Sequence, residues 1–345
     1  MNGGHREPET WESTLQLLQK SYGLFRDLNL ERIEQLQPSD NDRRRFSALL
    51  GFAPMDGPLR RSNLVASYMF GEYVAKEVRH LSRISDDLDF YHLILLADEG
   101  VMSDRKPLFP LTLLKRKADK AMRKAGLDGF YVVEVQALMN WPQQGEGRTL
   151  LGHIHVFGWM KRGSPGSSTQ DIRRALGYDK RRCNLAFSCQ FGADPIMVRS
   201  ITSDMGCPSF WAAYLMKAPH KAKSRIPRKK EDTSFHRPSF KLRNTTKGLR
   251  PELAMRMLEL FSQLPIFATV GGVGAGAAML ARCKNRLKLW DAQRRATWNK
   301  DGVEEVPAFH EGKFWKRTHK RRRARYLPFF IDGPTIPPRP HRGRK

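Results

Sequence analysis

The sequence predicts an α+β fold: an antiparallel sheet with helices on one face, set between helical N- and C-terminal sections. Three observations predict it. Between residues 90 and 217 the stretches run strand, helix, strand, strand, helix, strand, strand, helix. The two central strand-like stretches share one polar loop, so they should pair antiparallel. Outside this region apolar residues recur at helical spacing.

Residues 9–37 read as a helix, because Leu15, Leu18, Tyr22, Phe25 and Leu28 recur at steps of three and four. A loop with Pro54, Gly57 and Pro58 leads to a second helix, Asn63 to Leu81, and residues 1–85 form a helical N-terminal section. Phe90 to Ala97 (FYHLILLA) is an apolar run of strand length. Leu111 to Ala125 is an amphipathic helix closed by Gly126. Phe130 to Leu138 (FYVVEVQAL) and Leu150 to Met160 are the central strands, joined through NWPQQGEGR. A Gly/Ser/Pro linker precedes the short helix TQDIRRAL, with Thr169 as its cap. Asn184 to Phe191 and Pro195 to Ile201 are strand candidates, and Ser209 to Lys217 (SFWAAYLMK) is a helix. A basic linker and helical C-terminal section, 223–333, holds helices over Glu252 to Leu264 and Leu280 to Arg295. The Pro/Arg-rich tail, 334–345, reads as disordered.

A formal net charge of +26 points to a polyanionic partner rather than to any fold. The excess is uneven. Residues 1–89 carry 12 Lys/Arg against 14 Asp/Glu, whereas 217–250 and 310–345 each carry 12 against 2. Such blocks are solvated charge or nucleic-acid-binding segments, and the two readings are compatible. Phe314, Trp315 and Tyr326, interleaved in the second block, could stack on unpaired bases.

Cys183, Cys189, Cys207 and Cys283 are too few and too irregular for a disulfide framework or zinc ribbon, and they fit a reducing cytoplasm. The start, MNGGHREPETWE, lacks the apolar core of a secretory signal. Leu264 to Ala281 has 18 uncharged residues, but five are glycine or proline, so a packed loop and helix fits better than a membrane span. Its Gly272-x-Gly274-x-Gly276 spacing fails the dinucleotide-binding fingerprint. No G-x-x-x-x-G-K-[ST] occurs, so strand unwinding would fall to a partner.

The chemistry gathers around GHIHVFGWM, Gly152 to Met160. Alternation along a strand puts His153 and His155 on one face, with Ile154 and Val156 on the other. Such imidazoles are either a solvated polar face or a holding site. Pairing across a loop centred near Gly145 sets Glu134 opposite His155 and Gln136 near His153. Two imidazoles and a carboxylate form a ligand set for a divalent cation such as Mg²⁺ or Mn²⁺, with zinc not excluded. Tyr214 and Lys217, three apart on the last helix, share a face. A tyrosine phenol is largely un-ionised at neutral pH, and a nearby cation favours its ionised form.

Together, His153-Ile154-His155 in its apolar flanks and the following Tyr214-x-x-Lys217 resemble the HUH endonuclease superfamily. The tyrosine follows the histidines by about 60 residues, as in single-tyrosine rolling-circle replication initiators. The resemblance covers roughly 88–222 and implies a recognition-motif-like antiparallel sheet. It makes His153, His155 and Glu134 the metal ligands, Tyr214 the nucleophile and Lys217 its helper. Phe90 to Ala97 would be the first motif strand, although it lacks the Thr-rich sequence of many members.

The resemblance further implies DNA nicking through a 5′-phosphotyrosine link, with a free 3′-hydroxyl that primes synthesis. The DNA would be single-stranded or hairpin origin DNA, with a host helicase and polymerase as partners and no membrane. Lys217 to Arg250 and Lys316 to Arg325 would hold DNA phosphates with salt-sensitive affinity. A transposase of the same chemistry, or a non-catalytic nucleic-acid-binding protein on the same sheet, stands as the alternative.

Overall fold

The computed structural model describes residues 11–301 apart from 38, 40–41, 43–45, 47, 52–56, 106, 140–147, 178–185, 189–193, 203–205, 228–239 and 246–248. The expected tail, the basic run Lys316 to Arg325 and the three aromatics interleaved with it lie outside these residues. So does most of the expected strand Asn184 to Phe191, whose described residues 186–188 are not in a strand.

The chain opens with two long helices, α1 (Trp11–Gln35) and α2 (Leu64–Ile84). Asn63 starts the second, its side-chain oxygen accepting the Ala66 amide at 2.9 Å. Strands β1 (Leu88–Leu95) and β2 (Val101–Ser103), helix α3 (Leu111–Lys124), and the long strands β3 (Asp128–Met139) and β4 (Thr149–Lys161) follow. Next come α4 (Thr169–Ala175), β5 (Ile196–Ile201) and α5 (Pro208–Met216). The last described part holds β6 (Lys223–Pro227), β7 (Phe240–Asn244), α6 (Pro251–Gln263), β8 (Val270–Val273) and α7 (Ala275–Asp301). Ser168, not Thr169, caps α4: Ser168 has extended backbone and accepts the Asp171 amide, whereas Thr169 is already helical.

The sheet runs β5-β1-β4-β3-β6-β7, with β2 beside β4 and β8 beside β3. It is mixed rather than antiparallel, because β6 pairs parallel to β3 at Leu138 and Met139. Parallel pairing needs a crossover, and the chain from β4 through α5 supplies one. The segment expected as a packed loop and helix contains β8, which pairs with Gly129 to Val132 of β3 before α7 begins. Glycine permits this approach. A Cβ on Gly271 would lie 2.2 Å from the Tyr131 hydroxyl, and one on Gly276 would lie 1.8 Å from the Gly129 carbonyl oxygen.

Helices cover both faces of the sheet, not one. Ile154 and Val156 pack with Leu93, Val133, Leu114 of α3 and Ile172 of α4. Phe157 and Trp159 pack with Phe130, Val132 and residues of α1, α2, α5, α6 and α7. The twelve residues Thr149 to Met160 are all buried, as in strands covered on both sides. Of the two alternatives for the histidine pair, a solvated face does not exist: His153 is 1% exposed and His155 3%. No described helix is long and apolar enough to cross a membrane.

Candidate metal centre

Alternation along β4 sends His153 and His155 to the side of Phe157 and Trp159. Glu134 of β3 reaches the same side, but it pairs with His153, while His155 faces Val132 and Gln136 faces Leu151. The register is two residues from the expected one. A shift of two preserves the face, so the cluster survives it. Nothing in NWPQQGEGR specifies a two-residue turn, and the pairing could not be fixed from that loop. Gln136 lies apart from the cluster, its amide reaching the Lys221 carbonyl at 3.5 Å.

The ligand atoms converge. His153 Nε2 and His155 Nε2 are 3.0 Å apart, and Glu134 Oε2 lies 2.9 Å from His155 Nε2 and 3.5 Å from His153 Nε2. Neighbouring ligands about 2.1 Å from one cation lie about 3.0–3.4 Å apart, so the three atoms fit one ion. Among the described residues, Glu134, His153 and His155 are the cluster able to hold a metal.

Burial and charge oppose one another across the cluster. Burial drives His155 down to about 3, against the pull of Glu134. Neutral imidazoles keep the lone pair that a metal requires. Burial also favours a neutral Glu134, yet the Lys217 ammonium and hydrogen bonds with His153 and His155 outweigh it and hold the carboxyl well below its usual range. Lys217 Nζ stands 3.2 and 3.4 Å from the two Glu134 oxygens. Attraction to Glu134 overcomes burial and keeps that ammonium charged.

Helix α5 brings the aromatic side. The Tyr214 ring centroid lies 6.0 Å from that of His155 and 5.8 Å from that of His92, so the phenol shares the imidazoles' side of the sheet. Lys217 is one residue past the helix, as its cap, and its Nζ sits 4.0 Å from the Tyr214 ring centre. The N-terminal helix secures this end of α5. Tyr22 Oη donates to the Met216 carbonyl at 2.6 Å, and Ser21 Oγ accepts the Ala218 amide at 3.3 Å. Lys217 is thus held between two anchored neighbours.

Two site residues went unread in the sequence. His92 of β1 is 2% exposed, and its Nε2 lies 3.0 Å from His155 Nδ1. Trp211 packs its ring 4.9 Å from that of His92. The signal for His92 was a lone polar residue inside FYHLILLA. Its place beside β4 depends on non-local pairing, which alternation alone does not reveal.

The pieces can hold a divalent cation, place a cation-flanked phenol beside it, and exclude bulk water from the ligands. No protein-family model matches the chain, and no curated protein or solved structure does either.

Proposed function

We propose that the protein is a metal-dependent DNA strand-nicking and strand-transfer enzyme of the cytoplasm, acting on single-stranded or hairpin origin DNA as rolling-circle initiators do. A transposase of the same chemistry would use the same residues. One observation carries the proposal: the buried His153 and His155, the partly buried Glu134 and the half-buried Tyr214 meet on one side of the sheet, although the sequence separates them by up to 80 residues. Packing alone does not require that company, since buried polar groups are costly unless they are paired.

Glu134, His153 and His155 would hold Mg²⁺ or Mn²⁺, which supplies charge neutralisation at a scissile phosphate. Tyr214 Oη attacks the phosphorus and loses its proton. The bond to the 3′-oxygen breaks, that oxygen takes up a proton, and the 5′-phosphate stays on the tyrosine. The Lys217 ammonium, 4.0 Å from the phenol ring centre, puts a positive charge beside the nucleophile. Attack by a 3′-hydroxyl on the phosphotyrosine reverses the step and rejoins DNA without ATP.

One observation favours a non-catalytic nucleic-acid-binding protein: Lys217 already neutralises Glu134, so the cluster is satisfied as a buried ion pair. Incubation with labelled origin-type hairpins and Mn²⁺ separates the readings. The enzyme yields a covalent protein–DNA band that Tyr214→Phe abolishes. A band that persists in Tyr214→Phe, or DNA retained with no band on any hairpin, contradicts it.

A further inference from the structure

We propose that His92 is a positioning residue for the cation centre, fixing which nitrogen of His155 is free to bind the ion. The inference rests on the reading of Glu134, His153 and His155 as a cation site. A neutral imidazole has one N–H and one lone pair. His155 turns Nε2 toward Glu134 and His153, and Nδ1 toward His92. For Nε2 to hold a cation, the His155 hydrogen must sit on Nδ1 and find an acceptor. The His92 Nε2, 3.0 Å away, is that acceptor.

The geometry suits this bond. The His92 and His155 rings are parallel, with centroids 5.3 Å apart and nearest nitrogens 3.0 Å apart, so they meet edge to edge. That is where a ring N–H and a ring lone pair point. The pairing of Leu93 with Val156 and Ile94 with His155 fixes β1 against β4, and Trp211 packs on His92 from α5. With Nε2 as the acceptor, the His92 hydrogen sits on Nδ1, which is buried with no hydrogen-bond partner among the described residues, so no group there holds His92 in the opposite tautomer. In the metal-free chain His92 can donate from Nε2 while His155 donates from Nε2 to Glu134. The metal-free and cation-holding forms would then differ in which nitrogen of each ring carries the hydrogen, Nε2 or Nδ1, with the same total charge on the pair.

Outer partners of metal-bound histidines change metal affinity by about 10–100-fold when removed. The test is Mn²⁺ titration followed by electron paramagnetic resonance on wild type, His92→Phe, His92→Leu, His92→Gln and His153→Ala, with circular dichroism melts to confirm folding. His92→Phe or His92→Leu should weaken Mn²⁺ binding by about 10–100-fold. His92→Gln, whose amide oxygen accepts the same hydrogen, should recover most of it. Apolar variants that bind as tightly as wild type, or a glutamine variant as weak as the apolar ones, overturn the role of His92. Absent wild-type binding, or binding that His153→Ala does not weaken, overturns the cation site and the inference with it.

Discussion

The two faces of the central sheet use the same strands for opposite purposes. On the side of α3 and α4, Leu93, Leu95, Val133, Ile154 and Val156 form an apolar layer with Leu114, Ala118 and Met122. On the side of α1, α2 and α5, Phe130, Val132, Phe157 and Trp159 form a similar layer, yet His92, Glu134, His153 and His155 interrupt it. One face is close-packed hydrocarbon, where burial stabilises without any partner. The other buries three histidines and partly buries Glu134, polar side chains that demand partners, and replacing such groups with well-packed apolar residues is often neutral or stabilising. The contrast teaches that the first face serves packing alone, while the second, which faces the larger apolar core, also encloses a polar cluster that could hold a metal ion.

The largest expected effect tests the apolar side. Ile154→Ala, at a fully buried position, should cost about 2–5 kcal/mol in urea or thermal unfolding while leaving Mn²⁺ affinity nearly unchanged. His155→Ala, its strand neighbour, should do the reverse. Mn²⁺ affinity falls by about 100-fold or more, with a smaller loss of stability than Ile154→Ala. Should His155→Ala unfold the chain more readily than Ile154→Ala, the polar face is structural and the contrast collapses.

Smaller effects sharpen the same comparison. Tyr22→Phe removes the hydrogen bond to the Met216 carbonyl, so stability should fall by about 1 kcal/mol. If the proposed nicking chemistry holds, the rate of Tyr214 adduct formation should fall with it, because Lys217 follows Met216 directly; an unchanged rate would detach the N-terminal helix from the site. The smallest is a pH effect. Burial holds His220 below its ordinary value, so as pH falls through about 6.5 the unfolded chain takes up a proton that the folded chain refuses. That contribution to stability is present above 6.5 and drains below it. His220→Gln should flatten the fall in melting temperature between pH 7 and pH 5, and an unflattened slope would assign the whole fall to other groups.

What could be read from the sequence was local. Alternation in GHIHVFGWM separated His153 and His155 from Ile154 and Val156, and helical spacing placed α1, α2, α3 and α5 to within a few residues. The Glu134–His153–His155 cluster was also accessible, because antiparallel neighbours joined by one loop share faces even when the register slips by two. What escaped depended on distant contacts. His92 needs β1 to lie beside β4, β8 needs a free stretch of the β3 edge, and β6 runs parallel only because of the crossover before it. The two-sided covering of the sheet is signalled by apolar residues on both faces of β4, Ile154 and Val156 on one and Phe157 and Trp159 on the other, yet the two histidines interrupt that texture.

The central claim is that the polar face exists to hold a cation. Anomalous diffraction from crystals grown with Mn²⁺ tests it most directly. The account predicts a peak about 2.0–2.3 Å from His153 Nε2, His155 Nε2 and a Glu134 oxygen together. Crystals in which Mn²⁺ sits elsewhere, with Lys217 still closed on Glu134 and no peak between the histidines, would contradict it.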